Sequence, residues 1–79
     1  MKSDQAFGRV LKEVRLKKGL SQEQLAFSCD LDRTFISMLE RGLRQPSLTS
    51  ILSVSASLEI PAYELIKKTV EMMNENRQG

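Results

Sequence analysis

Histidine is absent from this 79-residue chain, and there is a single cysteine. The first absence removes the commonest general base and the commonest metal ligand. Together they leave a zinc site almost no ligands, so neither a metal nor a cofactor is expected. One cysteine forms no internal disulfide, which fits a soluble protein of the reducing cytoplasm. The four glycines stand far apart, at Gly8, Gly19, Gly42 and Gly79, so there is no glycine-rich phosphate loop. No apolar run approaches the roughly 18 residues of a membrane span. The start, Met1-Lys2-Ser3-Asp4, lacks the apolar stretch of a signal peptide. No base and nucleophile pair up convincingly, and an enzyme is not expected.

What is present is an ordinary globular composition. Hydrophobic residues make up 41% and charged residues 28%, which separates the chain from a disordered tail. The length suits one small domain. Its core would contribute only about 3–5 kcal/mol, so a partner chain is expected. The net charge of +2 hides an asymmetry. Residues 1–46 hold nine Lys and Arg against six Asp and Glu, whereas residues 47–79 hold three against four. A basic face, if there is one, belongs to the first half.

Punctuation divides the chain into short helices. From Asp4 to Lys18, Phe7, Val10, Leu11 and Val14 fall on one helical stripe, ended by Gly19. Gly8 inside this segment suits a close approach of a second helix. Ser21 opens a second helix running to about Cys29, with Gln24 as its capping-box partner. Asp32 caps a third, Arg33 to Arg41, which stops at Gly42. After a loop from Leu43 to Pro46, Ser47 caps a fourth, which carries Leu48, Ile51, Leu52, Ser55 and Leu58 at helical spacing and reads as a helix with small, closely packed faces. Pro61 suits the first position of a fifth, carrying Leu65, Ile66, Val70 and Met73. No long stretch alternates with period two, so the fold class is all-α. The domain spans residues 1–73, and residues 74–79 form a frayed tail.

The second and third helices form the informative pair. Ala26 supplies the small residue that a steep crossing needs, and Leu25, Cys29, Leu31, Ile36 and Leu39 face the bundle. This is the helix-turn-helix arrangement, in which the second helix enters the DNA major groove. Leu20-Ser21-Gln22-Glu23-Gln24-Leu25-Ala26 and Arg33-Thr34-Phe35-Ile36-Ser37-Met38-Leu39-Glu40-Arg41-Gly42 resemble the Cro/repressor-type (XRE-like) helix-turn-helix family. The stretch Asp32–Ser37 is similar to the controller proteins of restriction–modification systems. The resemblance covers about residues 6–70. It implies a five-helix, lambda-repressor-like domain that binds double-stranded operator DNA as a symmetric homodimer. It also implies a structural ion pair between Arg15 and Glu40. One departure is Asp30, where the family usually has glycine; Asp tolerates the left-handed backbone better than most residues.

In that frame Arg33, Thr34, Ser37 and Met38 are the candidate base contacts. Arg33 forks to guanine O6 and N7, and Thr34 reaches a base edge, a phosphate or no partner at all. Met38, at the family's third reading position, touches a thymine methyl or packs as ordinary surface. Gln22, Phe35, Arg41, Arg44 and Gln45 are the candidate backbone contacts; Gln22 sits in a first helical turn, where free N–H groups favour an anion. Phe35 lies beside the groove or serves as a core aromatic. Cys29 reads as a small buried hydrophobe.

The last two helices are the expected dimer surface, since the fifth carries more apolar surface than one small core needs. Tyr63, Ile66, Thr69, Val70 and Met73 are therefore the candidate dimer interface. The function expected is an autoregulatory, controller-like transcription regulator, with two dimers on DNA conceivable and no small-molecule ligand or membrane partner. An antitoxin or phage-type repressor of its own promoter is the nearest alternative. A helical protein-interaction module without DNA binding is another, and Arg33, Thr34, Arg41 and Arg44 argue against it.

Overall fold

Side-chain oxygens set where three of the five helices begin. The computed structural model describes residues 1–75, and α1 spans Ser3–Lys17, α2 Gln22–Ser28, α3 Arg33–Glu40, α4 Leu48–Ser57 and α5 Ala62–Glu75. Before α2, Ser21 Oγ accepts from the Gln24 N–H at 3.0 Å, and Gln24 Oε1 accepts from the Ser21 N–H at 2.8 Å. Asp32 Oδ1 accepts from the Thr34 N–H at 3.0 Å, and Ser47 Oγ from the Ser50 N–H at 3.0 Å. Each such cap contributes about 1 kcal/mol.

Four helices end alike. Gly19, Asp30, Gly42 and Glu59 all have φ between +57° and +73°. The next residue then donates its N–H to the carbonyl five positions back: Leu20 to Arg15, Leu31 to Ala26, Leu43 to Met38 and Ile60 to Ser55, at 2.9–3.1 Å. This is the Schellman closure, which favours an apolar residue just after the left-handed one. Leu20, Leu31 and Ile60 meet that preference by packing on the core; Leu43 instead lies exposed. Asp30 adopts the left-handed backbone expected of it, whereas Glu59 at the same kind of position was not anticipated from the sequence.

All five helices contribute to one core: Phe7, Val10, Leu11 and Val14, Leu25 and Ala26, Ile36 and Leu39, Val54 and Leu58, and Leu65. The long helices α1 and α5 pack along each other, and α1 also crosses α3. At that crossing Gly8 leaves no room for a side chain. A Cβ there would press on the Leu39 carbonyl oxygen and lie 2.7 Å from that of Glu40.

Two expectations need correction. Pro61 precedes α5 rather than opening it, its carbonyl accepting from the Glu64 N–H at 3.0 Å. Helix α5 continues through Asn74 and Glu75, into the stretch expected to fray; residues 76–79 lie outside the described residues. The helically spaced set on α4 divides: Ile51, Ser55 and Leu58 turn inward. Val54 is fully buried with Leu58, while Leu48 and Leu52 are 72% and 51% exposed. Helix α4 is apolar on two faces, and only one of them serves this chain's own core.

Candidate nucleic-acid interface

Helix α3 is seated by apolar contacts on one side and by a buried polar knot at its end. Ile36 and Leu39 are fully buried. Glu40, the last residue of α3, takes a two-pronged contact from Arg15 of α1, Nε to Oε2 at 2.6 Å and Nη2 to Oε1 at 2.9 Å. The remaining Arg15 nitrogen donates to the Leu20 carbonyl at 2.8 Å. Gln22 Nε2 donates to Glu40 Oε1 at 3.0 Å, bringing the first turn of α2 into the same knot. Hydrogen bonding to Glu40 raises the Arg15 pKa against the opposing effect of burial. Arg15 and Glu40 are only 6% and 9% exposed, so the pair is shielded from water. Its role is to lock α1, α2 and α3 into one body.

The locked helix presents a polar side to solvent. Arg33 and Thr34 are exposed at the first turn of α3, and Ser37 and Met38 are half-buried one turn later on the same side. Arg33 makes no hydrogen bond or ion pair among the described residues, so its five N–H donors are free for a ligand. Phe35 borders this side, half-buried against the core, with the Arg44 guanidinium carbon 5.9 Å from its ring centroid. Arg41, Arg44 and Gln45 are exposed around the loop after α3. Arg41 Nε donates to the Ser37 carbonyl at 3.4 Å, within its own helical turn. Gln22 stands differently from the other candidate backbone contacts, because one of its amide hydrogens already serves Glu40.

Arg9 was not singled out in the sequence, yet it borders the same open hollow as Arg41, about 270 Å³ in volume, with Met1, Gln5 and Glu40. It sits on α1 at an unremarkable outward position, and only the crossing of α1 with α3 brings it there.

The candidate interface on α5 divides in two. Tyr63, Ile66 and Val70 are exposed, Tyr63 at 72%, and Met73 is half-buried. Thr69 is instead buried inside the subunit, with its hydroxyl donating to the Leu65 carbonyl at 2.7 Å, and it leaves the exposed set. Leu48 and Leu52 were missed as surface residues. Helices α4 and α5 pack on each other and together hold five of the eight exposed large apolar residues among the described residues. That concentration exceeds what scattered surface leucines need.

Cys29 is half-buried, and desolvation pushes its thiol pKa up, which disfavours the reactive thiolate. Among the described residues no cluster of acidic or cysteine side chains could hold a metal ion. No helix among them is long and apolar enough to cross a membrane.

Known proteins share this arrangement. Residues 11–65 match the helix-turn-helix family. Control protein C.BamHI of Bacillus amyloliquefaciens is 45% identical over 64 residues, covering 80% of this chain and 79% of that protein. Control protein C.MunI of a Mycoplasma species is 47% identical over 60 residues, 75% of this chain and 81% of that one. The crystal structure of the restriction–modification controller protein C.AhdI from Aeromonas hydrophila superposes with a TM-score of 0.77 at 47% identity, over 78% of this chain and 94% of that one. With its recognition helix exposed, its α2–α3 pair locked by Glu40 and these matches, the chain belongs to the helix-turn-helix family of DNA-binding transcriptional regulators.

Proposed function

We propose that this regulator acts in the cytoplasm as a restriction–modification control protein, binding a twofold-symmetric operator as a homodimer. The observation that carries the reading is the pair Arg33 and Thr34, exposed and unengaged by side-chain bonds at the start of a helix that a buried ion pair holds rigid. A rigid helix places its donors without first ordering them, so little of the contact energy is lost on binding.

Arg33 forks to guanine O6 and N7, Thr34 and Ser37 offer hydroxyls to neighbouring base edges, and Met38 meets a thymine methyl. Arg41, Arg44, Gln45 and the remaining amide hydrogen of Gln22 hold the phosphate backbone and set the register. The exposed faces of α4 and α5 join two subunits, putting the two recognition helices about 34–36 Å apart, one turn of DNA. Because dimerisation depends on concentration, occupancy rises steeply with protein level, and no small ligand is needed for control. A second dimer beside the first would sharpen that response.

Selection of duplexes from random sequence by the purified protein tests this. The expected result is a twofold-symmetric site. The Arg33→Ala variant should lose about 1–3 kcal/mol of discrimination at one base pair of each half-site. Selection of no preferred sequence by the wild-type protein would overturn the proposal.

A further inference from the structure

We propose that Phe35 is a positioning residue that acts on DNA through Arg44. The inference rests on the DNA-binding reading above and adds a role that the contact residues alone do not supply.

Arg44 lies in the irregular stretch between α3 and α4, where backbone structure does little to aim a long side chain. Its guanidinium carbon stands 5.9 Å from the centre of the Phe35 ring, within cation–π range. This contact uses none of the guanidinium's N–H donors. Arg44 makes no hydrogen bond or ion pair among the described residues, so all five donors remain available for phosphate oxygens. The ring itself is anchored, half-buried against the core.

Position in the chain gives the contact its meaning. Phe35 follows Arg33 and Thr34 directly on α3, so the platform under Arg44 belongs to the same rigid helix that reads bases. The phosphate-binding cation is thereby held at a set distance from the base-reading residues, although the chain joining them is a loop. An aromatic at position 35 thus links backbone register to base register, and touches no DNA itself.

Two measurements test the proposal. In the free protein, the Arg44 side-chain proton resonances should show an upfield ring-current shift. Phe35→Leu, which keeps an apolar side chain and removes the ring, should abolish the shift; Phe35→Tyr should keep it. This readout involves no DNA. In the second, affinity is measured for a short duplex selected by the wild-type protein. Phe35→Leu should weaken binding about two- to fivefold, and Phe35→Tyr should restore it. Phe35→Leu should add nothing further once Arg44→Ala is present. Additive losses would mean that Phe35 touches DNA directly or acts only on the fold, and would overturn the inference while leaving the DNA-binding reading intact. Absence of the ring-current shift would overturn it as well. A wild-type protein that selects no duplex would remove both readings, whatever the resonances show.

Discussion

Replacing Gly8 by alanine sets two opposed effects against each other at one atom. On an exposed helix the change would stabilise by about 1 kcal/mol, because glycine is the poorer helix former. At this position the new Cβ would press on the Leu39 carbonyl oxygen and sit 2.7 Å from the Glu40 oxygen and 3.0 Å from its carbonyl carbon. These are backbone atoms, with no rotamer to move out of the way. The end of α3 would have to retreat by about an ångström to reach van der Waals distance. That movement is resisted by the Arg15 fork on Glu40 and by the tight approach of Gly42 to Gln5. Overpacking of this kind costs about 1–3 kcal/mol, and rigid neighbours put it near the upper end. The steric term wins, leaving a net loss of about 2 kcal/mol. For a domain of this size that lowers Tm by about 8–16 °C. Thermal and urea unfolding followed by circular dichroism, at one fixed protein concentration so that any self-association contributes equally to both proteins, gives the value. An unchanged or raised Tm would refute the reasoning and mean that α1 and α3 separate freely.

Glu40→Ala leaves the Arg15 guanidinium buried without its partner and should cost about 3–5 kcal/mol in urea unfolding; a loss below about 1 kcal/mol would show the pair to be well hydrated. Glu59→Gly relieves a non-glycine residue at φ +58°. The relief exceeds the added freedom of the unfolded chain, so a gain of about 0.5 kcal/mol is expected, and a loss would point to a contact made by the Glu59 side chain. Val70→Asp places a charge on the exposed apolar side of α5 and should give a folded monomer by sedimentation. A variant that stays dimeric would move the interface elsewhere.

The N-terminal caps of α2, α3 and α4 were the most legible feature of the chain, because each is settled over three or four residues. Ser21 with Gln24, Asp32 and Ser47 each met their backbone partner where their spacing placed it. The tolerance of Asp30 for a left-handed backbone was equally local. Glu59 escaped notice because its residue type gives no signal, although Ile60 after it occupies the apolar place of the same closure. The candidate reading residues were legible from the motif, since their place on α3 follows from its cap at Asp32.

What the sequence determined by itself is therefore the number and order of the helices, the N-terminal caps of α2, α3 and α4, and the candidate stretch of chain for facing DNA. The tertiary structure alone decided how those helices are rotated and what they meet. An apolar stripe marks the residues that avoid water, without saying whether this subunit or another will cover them. So α4 turned Val54 inward and left Leu48 and Leu52 outside, and Thr69 went into the core while Tyr63 stayed out. The Gln22 amide turned to Glu40, and Arg44 came to rest over Phe35, because contacts between separate segments depend on crossings that no local pattern encodes.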